Sequence, residues 1–119
     1  MEFLCFIGAG NHATNNIYPA ALCAGVHIKA IATRDIERSK AALLRFGSTG
    51  IPYGDYREML VKEECSGVVV VAQAADQTRI ALDCLKAGKN VFVEKPLGWN
   101  PQEAQELADA AEKSHAILM

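Results

Sequence analysis

The sequence predicts an α/β fold: a doubly wound parallel sheet with helices on both faces, three layers deep. Three observations predict it. Strand-like and helix-like segments alternate along the whole chain, which is the pattern of βαβ units. Two of the strands, Phe3–Ile7 and Val68–Val71, are apolar runs with no polar alternation, as expected of strands covered on both faces. A glycine-rich loop follows the first strand directly and leads into the first helix.

The elements follow in order. Phe3-Leu4-Cys5-Phe6-Ile7 is an apolar run ending at Gly8 and reads as the first strand. A helical stretch follows from about residue 13 to 24, and Pro19 within it removes a backbone donor, so a kink or a late start is expected there. His27 to Ala32 is the second strand. Asp35 suits the cap of a helix over residues 36–46, with Ile36, Leu43 and Leu44 expected on its inner face. Residues 47–50 break the chain, Ile51-Pro52-Tyr53 is a weak third strand, and a short helix follows from Tyr56 to Val61. Val68-Val69-Val70-Val71 is the strongest strand signal, since four successive β-branched residues belong in the middle of a parallel sheet.

Asp76 is the expected cap of the next helix, which carries Ile80, Ala81, Cys84 and Leu85 on one stripe and ends at Gly88. Asn90 to Val93 is the fifth strand. Asn100, Pro101 and Glu103 form a helix start, with a cap, a proline at the first helical position and a carboxylate at the third. That helix is expected to bury Ala104, Leu107, Ala108 and Ala111. Ala116-Ile117-Leu118-Met119 reads as a sixth strand, giving about six strands in the order 3-2-1-4-5-6. The last residue falls in a strand rather than a polar linker, so the chain reads as cut from a longer protein or as a minimal domain.

Composition excludes several function classes. The chain has 119 residues, half of them hydrophobic, and a formal net charge of −2. That length suits one domain, spanning residues 1–119. With no basic stripe, no nucleic-acid or membrane-surface partner is expected. No apolar run is long enough to span a bilayer, and the N-terminus shows no signal peptide, so a cytoplasmic protein is expected. The four cysteines, Cys5, Cys23, Cys65 and Cys84, form no Cys-x-x-Cys pair, and no metal site is expected.

Gly8-Ala9-Gly10-Asn11-His12-Ala13 matches the dinucleotide-binding pattern G-x-G-x-x-G/A in the required strand-loop-helix context. Gly8 serves the tight turn, Gly10 lets backbone approach phosphate oxygens, and Ala13 lets the helix pack on the strand. The amides and dipole at the helix start then attract a pyrophosphate. Asn11 and His12 belong to the same loop, although a solvent-facing role suits His12 as well. At the end of the second strand, an NAD site usually carries a carboxylate for the ribose 2′-hydroxyl. This chain has Thr33 and Arg34 there, with Arg38 one helical turn on. A neutral hydroxyl and planar guanidinium donors favour a 2′-phosphate, hence NADP with NAD as the second choice. Asp35 has two readings, helix cap and ribose ligand; capping explains both its type and its position. A solvated helix face remains the plain alternative for Arg34 and Arg38.

The segment Ala87-Gly88-Lys89-Asn90-Val91-Phe92-Val93-Glu94-Lys95-Pro96-Leu97 resembles the A-G-K-x-V-x-x-E-K-P-L segment of the Gfo/Idh/MocA oxidoreductases. Arg34-Asp35-Ile36-Glu37-Arg38 resembles the family's segment after its second strand. The resemblance covers essentially the whole chain. It implies an N-terminal Rossmann fold followed by a C-terminal substrate and catalytic domain that is absent from this chain. It implies hydride transfer between NAD(P) and sugars, polyols or related carbonyl compounds, by a parent protein that is a homo-oligomer.

By the same resemblance, Lys95 lies near the nicotinamide and the reacting carbon as a catalytic residue, and Glu94 and Pro96 lie at the cofactor. Ala72 and Gln73 sit where many members have Thr-Pro, and Gln77 where they have histidine, so backbone contacts to the nicotinamide side are expected to outlast side-chain contacts. Thr33 replaces the family's frequent aspartate. The isolated domain is expected to bind cofactor and to be inactive. The rival from a different class is a non-catalytic NAD(P)-sensing or regulatory module. A nucleoside-binding transferase is a weaker rival, because Thr33 is not acidic and the Glu94-Lys95-Pro96 segment has no role there.

Overall fold

A computed structural model describes residues 3–46, 49–94, 98 and 100–119. Five parallel strands form one sheet in the order β3-β2-β1-β4-β5. They are β1 (Phe3–Ile7), β2 (His27–Ala32), β3 (Ile51–Tyr53), β4 (Gly67–Val70) and β5 (Asn90–Val93). Beyond β5, Leu118 makes a single parallel bridge to Val91, and Val93 N–H donates to Met119 O at 2.9 Å. The expected sixth strand is therefore present as one bridge at the expected edge.

The helices are α1 (Tyr18–Cys23), α2 (Ile36–Arg45), α3 (Tyr56–Lys62), α4 (Ala74–Lys86) and α5 (Pro101–Ser114). Strand side chains alternate between two cores. Cys5, Ile7, Ala30, Ala32, Val68 and Val70 pack with Met59 of α3, Ile80, Ala81, Cys84 and Leu85 of α4, and Leu107 and Ala111 of α5. Phe6, Ile28, Ile31 and Val69 pack on the other face with Ala13, Tyr18 of α1, and Ala42 and Leu43 of α2. The sheet is covered on both faces at β4, which is why that strand lacks polar alternation, whereas β5 alternates buried Val91 and Val93 with exposed Asn90 and Phe92.

The helix starts follow the sequence closely. The Asp35 carboxylate accepts from Glu37 N–H and Asp55 from Arg57 N–H. Asn100 accepts from Glu103 N–H, with Pro101 at the first helical position. Residues Ala13–Ile17 form a π-helical turn, in which Tyr18 N–H donates to Ala13 O. Pro19 has no N–H to continue an α-helical ladder, and the wider turn just before it accommodates that loss.

Three expectations need correction. Asp76 does not cap α4: Gln73 occupies the cap position, and Asp76 lies in the first turn, where the helix dipole still favours a carboxylate. On α2 the buried residues are Ser39, Ala42 and Leu43, whereas Leu44 is 84% exposed and Ile36 is also exposed. Leu44 is one residue, about 100°, off the buried stripe. Polar Ser39 holds its inner position because its hydroxyl donates to Tyr53 O at 2.7 Å. On α5, Ala108 is exposed and Ala104 only half-buried. Among the thiols, Cys5 and Cys84 are buried, and burial pushes Cys84 up to about 12.

Candidate functional site: a cleft at the carboxyl ends of the strands

Strand order reverses between β1 and β4: the chain leaves β1 toward β2 and β3, then returns to β4 on the other side. A crevice opens at such a switch point, outside the carboxyl ends of the strands. A cleft of about 660 Å³ lies there, lined by the loops that follow β1, β2, β3 and β4. Among the expected site residues it gathers Gly8, Gly10, Asn11, His12, Ala13, Thr33, Arg34, Arg38, Ala72 and Gln73.

The two glycines do different work. Gly8 has φ +109°, and a β-carbon on it would lie 2.0 Å from Val71 O. Its N–H donates to Ala32 O at 2.9 Å, and its carbonyl accepts from the Tyr18 hydroxyl at 2.7 Å. Gly8 is therefore clamped between β2, β4 and α1. Burial pushes the Tyr18 phenol well above its usual range, so it stays a donor. A β-carbon on Gly10, by contrast, would meet no atom within 4 Å. The space above Gly10 is open cleft. Thr14 N–H closes back on Gly10 O at 3.0 Å, so the amides of Asn11, His12 and Ala13 precede the first helical bond and have no intrahelical acceptor. This is a backbone cradle for an anion, and it fits a pyrophosphate.

The far end of the cleft is built from side chains. Arg34 pairs with Asp76 across the cleft, from the loop after β2 to the first turn of α4. Asp76 also pairs with Arg79 at 3.3 Å. Arg38, Arg57 and Arg79 line the same cleft. Arg57 lies over the Tyr56 ring at 4.7 Å, and it approaches Asp55 at 3.8 Å and Asp83 at 3.9 Å. Burial, with the hydrogen bond to Asp83, raises the Tyr56 phenol to about 12. The Thr33 hydroxyl turns inward, donating to Asp35 O, with its oxygen 2.9 Å from Ser39 Oγ. Asp35 is occupied as the α2 cap.

At the opposite end, near β5, the His12 ring is fixed at both nitrogens. Asn16 Nδ2 donates to Nδ1 at 3.1 Å, which leaves Nε2–H to donate to the Glu94 carboxylate at 3.2 Å. Gln77 is buried and bridges two loops: it accepts from Ala72 N–H at 3.3 Å and donates to Glu94 O at 2.7 Å. The ends of β4 and β5 are thereby held together. Lys95 and Pro96 lie outside the described residues.

Sequence reasoning missed the parts played by Tyr18, Arg57, Asp76 and Arg79. Tyr18 carried one signal, a large aromatic with a polar tip at the start of a short apolar helix. Arg57 comes from α3 and Asp76 and Arg79 from α4, and the two helices bring them to one cleft only in the folded chain.

A parallel sheet of this order, with a glycine cradle at its switch point, defines the class: a dinucleotide-binding Rossmann domain. Residues 4–119 match the Gfo/Idh/MocA oxidoreductase family, NAD-binding Rossmann fold. The chain belongs to that family. It is 35% identical over 109 residues to an uncharacterized oxidoreductase of Rhizobium meliloti, covering 91% of this chain and 32% of that protein. It is 34% identical over 92 residues to the trans-1,2-dihydrobenzene-1,2-diol dehydrogenase of Xenopus laevis, covering 77% of this chain and 28% of the relative. The crystal structure of KijD10, a 3-ketoreductase from Actinomadura kijaniata in complex with NADP, superposes with a TM-score of 0.92 at 29% identity, over 99% of this chain and 37% of that one. The chain thus spans about a third of the length of the relatives it matches.

Proposed function

We propose that this domain binds NADP(H) in preference to NAD(H), and that its parent protein transfers hydride between that cofactor and a sugar, polyol or related carbonyl compound. The observation that carries the cofactor reading is the contrast between Gly8, pressed against Val71 O, and Gly10, facing open space at a helix start. The NADP preference is supported by Thr33 and Arg34 after the end of β2, where an NAD site would present a carboxylate, and by Arg38, Arg57 and Arg79 lining the same cleft. The substrate class is supported by the family and by a relative that acts on a cyclic diol.

In this reading the bound nicotinamide supplies the hydride chemistry. The backbone of Gly8 to Ala13 holds the pyrophosphate, and Arg34 and Arg38 hold the 2′-phosphate. The loops after β4 and β5, braced by Gln77, bound the nicotinamide end through Ala72, Gln73 and Glu94. Lys95 follows Glu94 in the chain, and its ammonium donates to the substrate oxygen, orienting it and stabilising charge that develops there. In the oxidative direction, the substrate carbon loses a hydride to the cofactor and its hydroxyl loses a proton, giving the carbonyl. The proton acceptor and the second wall of the substrate site belong to a further domain of the parent. Relatives about three times as long support that division. A cytoplasmic homo-oligomer completes the proposal; no helix among the described residues is long and apolar enough to cross a membrane.

Steady-state turnover of the full-length parent and its Lys95→Met variant on a panel of polyols, with cofactor titration of each, tests this reading. Turnover should collapse in the variant while cofactor affinity holds. Undiminished turnover would remove Lys95 from the mechanism. Tight cofactor binding by a parent that turns over no substrate would favour a sensing module instead.

A further inference from the structure

Arg34, Arg57 and Arg79 at the adenosine end of the cleft each pair with an aspartate. Asp76 is the carboxylate that Arg34 and Arg79 share, one guanidinium from each wall. Arg57 has Asp55 and Asp83 within reach, and Asp35 is turned to the start of α2. Two guanidiniums thus converge on one carboxylate, as they would on a phosphate. The Asp76 side chain is 19% exposed, whereas Arg34 is 79% exposed and reaches across open space to meet it. An arginine as exposed as Arg34 gains little from its ion pair. Such a pair is easily exchanged for a stronger anion.

We infer that Asp76 is a cofactor-selectivity residue: its carboxylate occupies Arg34 and Arg79 as an internal substitute for the adenosine 2′-phosphate, which displaces it. The inference rests on the dinucleotide reading of the cleft and adds to it the wall formed by α4. A 2′-phosphate carries roughly twice the charge of a carboxylate and presents three acceptor oxygens, enough to engage guanidiniums from both walls. While it stays ionised, Asp76 opposes that phosphate by competition for Arg34 and by direct repulsion. A cofactor with a free 2′-hydroxyl brings no such charge and leaves the Arg34–Asp76 pair in place. Asp76 therefore lowers affinity for the phosphorylated cofactor selectively and sets how far the domain discriminates.

The test uses the 119-residue chain and its Asp76→Asn variant, each titrated calorimetrically with adenosine 2′,5′-bisphosphate, 5′-AMP, NADPH and NADH. Losing one negative charge beside the phosphate should tighten the bisphosphate and NADPH by about tenfold and leave 5′-AMP and NADH within about twofold. Circular dichroism and thermal unfolding verify that the variant is folded. Arg79→Gln, at an exposed position on α4, is the second variant; it should weaken the bisphosphate and spare 5′-AMP. Equal weakening of all four ligands by Asp76→Asn would overturn the inference and make Asp76 a support that aligns Arg34 for the adenosine. No change in any of them would overturn it equally, as would an Arg79→Gln variant that binds the bisphosphate normally. If the unmodified chain bound none of the four, the dinucleotide reading itself would fail, and this inference with it.

Discussion

The two ends of the cleft are built by different means. At the pyrophosphate end the backbone does the work: Gly8 is wedged against Val71 O and tied to Ala32 and Tyr18, and Gly10 leaves its surroundings empty. At the adenosine end, charged side chains from the loop after β2 and from α4 meet across the cleft. The first end tolerates almost no change in atomic size. The second can exchange partners without disturbing the fold. Binding of a dinucleotide is thus fixed where the backbone is rigid, and the choice between dinucleotides is made where it is not.

The sharpest way to break this contrast is Gly8→Ala. Its β-carbon would lie 2.0 Å from a backbone oxygen, on a residue with φ +109°. Both the clash and the strain fall on β1 and β4, so the variant should lose about 3–5 kcal/mol of stability in chemical denaturation. Gly10→Val should behave in the opposite way. Its side chain meets open cleft, so the fold should keep its stability to within about 1 kcal/mol. Both cofactors should fail to bind, because the methyl groups take the space of the pyrophosphate. Unfolding curves together with titrations separate the two glycines, and unchanged affinity in Gly10→Val would reduce the loop to a turn.

At the adenosine end, Arg34→Ala should weaken NADPH by about 1.5–3 kcal/mol, the loss of a charge-assisted hydrogen bond, and NADH much less. Competition from Asp76 in the free domain places the expected value toward the lower part of that range. The smallest effect is expected from Tyr18→Phe. It removes the bond to Gly8 O, costs about 1 kcal/mol in stability, and loosens the loop for both cofactors alike.

This contrast also accounts for what was legible in the sequence. Gly8, Gly10 and Ala13 were readable because the chemistry dictates residue size at fixed spacing within one short segment. The limits of β1, β2, β3 and β5 were readable because short, mainly apolar runs stand between turn residues. The inner face of α2 was misread because hydrophobicity pointed to Leu44. The helix instead buries Ser39, whose hydroxyl finds Tyr53 O on the next strand, 14 residues on. Asp76 was read locally, as a cap, although its partner Arg34 is forty-two residues away. Gln77 was noticed only as a departure from the family's histidine, yet it braces Ala72 against Glu94. Side chains whose partners come from other elements carry no local signal, and the adenosine end consists almost entirely of them.

The central claim is that this chain is a dinucleotide cradle that selects for a 2′-phosphate. Isothermal titration of the 119-residue chain with NADPH and NADH, at one fixed and stated ionic strength, tests it most directly. Both cofactors should bind at one site per chain, NADPH more tightly, with the difference shrinking as salt screens the arginines. Equal affinities, or tighter NADH, would contradict the selection and return the ribose to Asp35; binding of neither would contradict the cradle itself.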